Sequence, residues 1–369
     1  MEKTDCVVVG GSFSGSYCAR ELSRAGVQAT VLEEHEKPGK FHKCSGLFSK
    51  KGLEALKVKH EKTVLNTVSG ARFFAGKSEM KVEKSETVAL VCNRQELDEQ
   101  VAAEALDAGA KYSFSSHAKS FSQNGGIRIN CADGKTFESN YLVGADGCQS
   151  AVAREFSFPT ISQKNFVLAY EGEYEGCENF EKNLVYVMLD AQLFNGFFGW
   201  VIPVNDETVR IGFATKSFSR LNESKKTFFE SKRISEITPK ESCKCAREFA
   251  HLIPLAVRKQ TQKNNVLLVG DAAGQVKSTT GGGIVFNGQC AAIAAREIAE
   301  NKKSGKEILY EGAWRKKLGG SLSAHKLLRS FYNILPQKII EPSTAIASVL
   351  GISSLASKFG DMDYIVAKN

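Results

Sequence analysis

The segment from Cys6 to Glu33 restricts the fold more than any other part of the chain. The apolar run Cys6-Val7-Val8-Val9 leads into Gly10-Gly11-Ser12-Phe13-Ser14-Gly15, a helix-like stretch from Ser14 to Ala25, and a second apolar run, Ala29 to Leu32, that ends in Glu33. Short continuous apolar runs separated by one helix predict a parallel βαβ unit whose strands are buried on both faces. Glycines at the strand-to-helix turn bring the N–H groups of the helix start against a phosphate, as in a dinucleotide fingerprint. Ser12 stands where G-x-G-x-x-G has its second glycine, so a serine hydroxyl is expected to donate to the phosphate there. Glu33 is placed to accept from the ribose hydroxyls of an adenosine, and its charge disfavours a 2′-phosphate.

Two later motifs choose a flavin over a nicotinamide. Leu142-Val143-Gly144-Ala145-Asp146-Gly147 puts an Asp-Gly at a strand end, and Val266-Leu267-Leu268-Val269-Gly270-Asp271-Ala272-Ala273-Gly274 repeats the arrangement. The second leads through Thr280-Gly281-Gly282-Gly283 into a long helix. Asp271 is expected to accept from a ribityl hydroxyl, and the positive end of the following helix to stabilise an anionic reduced ring. FAD is therefore the expected cofactor. Because the three motifs serve one site, the nucleotide domain is expected to be discontinuous, formed by 1–155 and 256–300. The alternating, aromatic-rich pattern of 156–255 predicts an antiparallel substrate domain with a charged helix around Asn222 to Arg233. Residues 60–92 are candidates to join that sheet, and 301–369 form a C-terminal helical segment. The expected fold class is α/β, a Rossmann-like FAD-binding domain beside a mainly antiparallel sheet.

Composition excludes several alternatives. With 42% apolar residues in 369, the chain can bury a core of two-domain size. No uninterrupted apolar run approaches the ~20 residues of a membrane-crossing helix. Met1 to Asp5 lead directly into a strand without a signal-like pattern, so a cytoplasmic location is expected. The 10 cysteines include no C-x-x-C pair, which argues against a zinc cluster and a disulfide framework; Cys243 and Cys245 are candidates to pair with Cys177 only under oxidation. Between Arg296 and Lys338 lie ten Lys/Arg and four Asp/Glu, a local charge of +6. Trp314, Leu318, Leu322, Leu328 and Tyr332 recur there at helical spacing beside Arg315, Lys316, Lys317, Lys326 and Arg329. That combination predicts peripheral contact with the cytoplasmic membrane face rather than nucleic-acid binding.

These motifs, with Lys43-Cys44-Ser45-Gly46-Leu47, the helix start Asn93-Arg94 to Leu97-Asp98 and the helix from Tyr310 to Leu318, resemble the geranylgeranyl reductase family. That family belongs to the FAD-dependent oxidoreductases built like para-hydroxybenzoate hydroxylase, and the resemblance spans nearly the whole chain. It implies cofactor contacts from Gly10, Ser12, Phe13, Ser14, Gly15, Glu33, Glu34 and Arg94. It implies others from Asp146, Gly147, Gly270, Asp271, Gly281, Gly282, Gly283 and Ile284. Cys44, Ser45 and Gly46 are expected beside the flavin, with Cys44 positioning the substrate or donating a proton and Gly46 letting the backbone pass close to the ring. No metal is expected.

The family's substrate motif P-x-x-Y-x-W-x-F-P corresponds to the tract from Asn195 to Pro203. Trp200 and Pro203 match it, whereas Asn195, Phe198 and Ile202 depart from it. Phe198, Trp200 and Pro203 are accordingly expected at the substrate, with Leu252, Ile253 and Leu255 as further lining and His251 as a polar residue held by a partner. The resemblance implies reduction of carbon–carbon double bonds in geranylgeranyl chains of an archaeal-type phospholipid, or of a polyprenyl diphosphate. Electrons would come from ferredoxin, NAD(P)H or a deazaflavin. Since the tract also resembles W-x-W-x-I-P of flavin-dependent halogenases, a monooxygenase or halogenase of an aromatic substrate is the rival enzyme. A flavin-containing lipid-binding or redox-sensing protein is the non-enzymatic alternative.

Overall fold

A computed structural model describes residues 1–40, 43–123, 125–239, 241–334 and 363. The rest of the expected C-terminal segment, Lys338 included, lies outside the described residues. The opening run becomes the strand Glu2–Val9, which is flanked in parallel by Ala29–Leu32 and Thr136–Gly144. Val266–Leu268 pairs in parallel with the far side of Thr136–Gly144, and Lys111–Ser113 with that of Ala29–Leu32. Ile127–Cys131 and Ala118–Gln123 extend this sheet as an antiparallel meander, giving eight strands with the short Gln262–Lys263. Both faces of the central strand are covered, which is why Cys6 to Val9 read as an unbroken apolar run. One face carries the helices Phe13–Arg24, Arg94–Asp107 and Ile284–Ser304, packed through Phe13, Leu22, Val101, Phe286 and Ile293.

A second, seven-stranded sheet runs in the order Lys244–Pro254, Phe166–Glu175, Thr208–Thr215, Gly199–Pro203, Leu184–Met188, Gly70–Ala75, Ser78–Glu83. It is antiparallel except where Leu184–Met188 meets Gly70–Ala75. Residues 60–92 thus divide between two sheets. Gly70–Ala75 and Ser78–Glu83 join the seven-stranded one, whereas Val64–Val68 and Ala89–Cys92 form a separate three-stranded sheet with Leu47–Ser49. The charged helix expected around Asn222 to Arg233 is two helices, Leu221–Phe229 and Lys232–Ile237. Ser231 is extended there and donates its hydroxyl to the Phe228 carbonyl, which ends the first helix.

The C-terminal helix Tyr310–Ile334 divides the expected apolar stripe, turning its first three residues inward. Trp314, Leu318 and Leu322 are buried in the core shared with the helices Phe13–Arg24 and Ile284–Ser304, and Trp314 Nε1 donates to Thr261 Oγ1 (2.9 Å). Arg315 is occupied by Glu311 and by the carbonyls of Arg258 and Lys259, and Arg329 is buried. Leu328, the fourth residue of the stripe, is exposed, together with Leu327 and Phe331. Cys177 and Cys243 lie with their sulfurs 3.4 Å apart as free thiols, and Cys245 is exposed.

Candidate flavin and substrate site

The strand ends of the first sheet open into a cavity of about 1990 Å³ that continues to the inner face of the second sheet. Its first part is built by the turn after Glu2–Val9. Gly10 adopts φ +98°, and a Cβ there would lie 2.5 Å from the Ala145 carbonyl oxygen. A Cβ on Gly15 would lie 1.8 Å from the Gly10 oxygen. Gly15 therefore does not line the cavity but permits the helix to start where it does. Ser12 is extended at the N-cap and makes no side-chain cap, so the helix start is not closed off by its own sequence. Ser12 and Ser14 face the cavity, while Phe13 is buried against Tyr17. Glu33 Oε2 accepts from Gly11 N–H (2.7 Å) and Oε1 from His35 N–H (3.0 Å), which fixes the carboxylate beside the glycine turn, where the ribose of an adenosine would meet it. Glu34 stands at the rim with His117 Nδ1 (2.9 Å).

The other two motifs meet this turn. Asp146 Oδ2 accepts from Val152 N–H (3.0 Å), whereas Oδ1 is buried with no partner. Asp271 Oδ1 accepts from Asn287 Nδ2 (3.2 Å), and Asn287 Oδ1 is likewise buried and unpartnered. Burial pushes the carboxyls of both Asp146 and Asp271 up from their ordinary range. Gly147, Gly281, Gly282, Gly283 and Ile284 line the cavity, and the helix Ile284–Ser304 begins at Gly283 without a side-chain cap. Gly270, at φ +67°, packs against Ser14 rather than lining it. Two uncapped helix starts and two orphaned buried acceptors call for a ligand that brings phosphate and hydroxyl donors. FAD has both, and Ser12, Ser14, Asp146 and Asp271 are the residues that would hold its pyrophosphate and ribityl chain.

The remaining expected residues divide. Cys44, Ser45 and Arg94 line the cavity, with Arg94 Nε donating to Asp98 Oδ1 (2.8 Å) and Cys44 among the groups whose field acts on Arg94. Gly46, expected beside the ring, instead lies against a neighbouring strand: a Cβ there would be 2.3 Å from the Cys92 carbonyl oxygen. Phe198 and Trp200 line the cavity, Phe198 stacked on Phe197 with centroids 4.4 Å apart. Pro203, expected at the substrate, does not line it. It ends a buried strand and its carbonyl accepts from Asn66 Nδ2 (2.9 Å), joining the second sheet to the three-stranded one. Leu252 and Ile253 line the cavity, whereas Leu255 is buried in the core. His251, expected to be held by a partner, has an unpartnered buried Nδ1 and faces the cavity; burial, with Lys43 and Arg94 nearby, pushes its pKa down to about 4, so it is neutral.

Sequence reasoning missed Glu171. It sits on the strand Phe166–Glu175, lines the cavity, and accepts from Trp200 Nε1 (2.7 Å) and from the Ser45 hydroxyl. The signal is that Val167, Ala169 and Glu171 share one buried face of the strand, where a carboxylate breaks an apolar row. Asp98 and Asn287 were missed as cavity residues for a different reason: each lies within a helix, where a polar residue is unremarkable in sequence.

Residues 3–309 match the FAD binding domain family. An uncharacterized protein of Methanocaldococcus jannaschii is 27% identical, covering 97% of this chain and 92% of its own. A digeranylgeranylglycerophospholipid reductase of Methanothrix thermoacetophila is 25% identical, covering 89% and 88%. The solved structure of a geranylgeranyl bacteriochlorophyll reductase-like protein of Thermoplasma acidophilum superposes with a TM-score of 0.87 at 19% identity over 97% of each chain, a likeness of fold. Replacing Asp271 with Ala should weaken FAD binding by roughly 10- to 150-fold, from ~1.5–3 kcal/mol for hydrogen bonds to a charged group, as read by flavin-fluorescence titration. Unchanged affinity would remove Asp271 from the site. With the family match spanning most of its length and the cavity built at three glycine-bearing strand ends, this chain belongs to the FAD-binding domain family and is a FAD-dependent oxidoreductase.

Proposed function

We propose that the enzyme saturates carbon–carbon double bonds of geranylgeranyl chains carried on an archaeal-type phospholipid. The observation that carries this reading is the cavity. At about 1990 Å³ it exceeds the ~300–1,000 Å³ of a usual ligand pocket, and beyond the flavin-facing residues Val68, Phe73, Val187, Phe197, Phe198 and Leu328 give its wall a large apolar share, beside the polar Lys84, Glu171 and Arg329. Such a wall suits a long hydrocarbon rather than a small aromatic acid, and the relative named digeranylgeranylglycerophospholipid reductase supports it. Bound FAD, once reduced by a separate donor, supplies a hydride. An isolated alkene has no carbonyl to polarise it, so this chain must hold the double bond in place, exclude water and provide a proton as the hydride arrives. Cys44, between Arg94 and Ser45, is the residue proposed to touch the alkene. Anaerobic incubation of dithionite-reduced enzyme with geranylgeranyl phospholipid should give products heavier by two hydrogens per bond. Oxygen consumption and a hydroxylated or halogenated aromatic product would instead establish the rival chemistry, and lipid binding without turnover the carrier.

The lipid must enter from a membrane surface, and Leu327, Leu328 and Phe331, 60%, 47% and 60% exposed, form the proposed contact. Leu328 also lines the cavity, so the patch adjoins its mouth. A Leu327→Asp, Phe331→Asp double variant should lower co-sedimentation with anionic vesicles by tenfold or more, since a buried Leu or Phe contributes ~1.5–3 kcal/mol. Equal binding by the variant would assign membrane contact to another surface.

A further inference from the structure

The proton for the alkene has a candidate source that neither the glycine motifs nor the cysteine tract contains. Glu171 is 2% exposed and makes no ion pair among the described residues. The two cations nearest to it are committed elsewhere. Arg210 Nε (2.7 Å) and Arg247 Nη2 (3.0 Å) both donate to Glu173 Oε2, and Arg210 Nη1 also donates to the carbonyls of Ser45 (2.8 Å) and Cys92 (3.1 Å). What Glu171 has instead are two neutral donors on one oxygen, Trp200 Nε1–H and the Ser45 hydroxyl, both directed at Oε2. An indole N–H can only donate, so Oε2 must act as an acceptor. Oε1 has no hydrogen-bond partner among the described residues and is not sealed off from the cavity that Glu171 lines. A carboxyl arranged in this way leaves Oε1 free to hold a proton, and an unpaired charge in so buried a place would be costly. Burial accordingly raises its pKa above the ordinary carboxyl range, against the opposing pull of Ser45, Trp200, Arg210 and Arg247.

We propose that Glu171 is the acid of this site, delivering the proton on Oε1 to one carbon of the bound alkene while Trp200 and Ser45 hold the carboxyl through Oε2. The proposal rests on the alkene-reductase reading above. In the step, the π pair of the double bond forms the C–H bond to the proton leaving Oε1, and the hydride from the reduced cofactor forms the second C–H bond. The cofactor is oxidised, the alkene is reduced, and the Glu171 carboxylate regains a proton from water. The same contact joins Glu171 to Cys44 through its chain neighbour Ser45, so the residue proposed to touch the alkene and the proton source are held in fixed relation. Trp200 then acts as a positioning residue as well as a wall.

The test pairs infrared spectroscopy with single turnover on the FAD-loaded enzyme. At neutral pH the wild type minus Glu171→Gln difference spectrum should contain the C=O stretch of a protonated carboxylic acid. In Glu171→Gln, FAD content should be unchanged while reduction of geranylgeranyl phospholipid falls by roughly 100- to 10,000-fold, the usual weight of a positioned acid. Wild-type reduction should decline as pH rises through the Glu171 pKa, and that limb should be lost in Glu171→Gln. In Trp200→Phe, which removes a donor that favours the carboxylate, the limb should move to higher pH. A difference spectrum with only carboxylate bands, or a Glu171→Gln enzyme with wild-type turnover and the same pH limb, would overturn the proposal. A protonated-acid band in a wild-type enzyme that reduces no prenyl lipid would uphold the buried proton on Glu171 and refute the lipid reading instead.

Discussion

The helix Phe13–Arg24 can begin where it does only because Gly15 has no side chain: a Cβ there would lie 1.8 Å from the Gly10 carbonyl oxygen. This contact sets the first helix directly onto the end of the central strand. From it follow the left-handed turn at Gly10, the close passage of Ala145, and the convergence of three strand ends on one cavity. The helix Ile284–Ser304 packs against the same first helix, so its own uncapped start is brought to that cavity as well. Two helix N-termini of the same polarity then face a common space, an arrangement suited to the phosphates and the electron-rich ring of a reduced flavin.

Within that space, burial raises the pKa of four carboxyls, and their partners separate their roles. Asp98 is paired with Arg94 one turn before it, a structural use within the helix Arg94–Asp107. Asp146 and Asp271 lie beside orphaned acceptors at the strand ends, where a ligand rich in hydroxyls completes them. Glu171 lies further in, on the second sheet, with neutral donors alone on Oε2. The cavity thus joins a polar part made by strand ends to a more apolar part made by a sheet face, and the cysteine tract also lines it. A hydrophilic cofactor and a hydrocarbon chain can share such a space because each meets a wall of its own kind.

The nucleotide half was legible in the sequence because its information is local. A glycine at a strand-to-helix turn has one steric reason to be there, and buried parallel strands announce themselves as apolar runs. The substrate half was less legible because its contacts join distant segments. Nothing local distinguishes Gly70–Ala75, which enters the seven-stranded sheet, from Val64–Val68, which does not. Gly46, in a left-handed conformation, is crowded by the Cys92 carbonyl, 46 residues away in sequence. The basic helix shows the same limit: Trp314, Leu318 and Leu322 have the spacing of an amphipathic surface helix, yet they are buried in the core that holds the preceding helix Ile284–Ser304 and the distant Phe13–Arg24. Periodicity shows that a face is apolar without showing what covers it. Glu171 was visible in principle as a charge in an inward-facing row, but its meaning depends on Ser45 and Trp200, which only the tertiary fold supplies.

The central claim is that one cavity brings an alkene lipid to reduced FAD, and it is tested most directly by stopped-flow mixing of the reduced enzyme with geranylgeranyl phospholipid in the absence of oxygen. The account predicts that oxidised-flavin absorbance returns with the unsaturated lipid, at the rate at which saturated product forms, and does not return with the fully saturated lipid. A flavin that stays reduced with the unsaturated lipid until oxygen is admitted would contradict it.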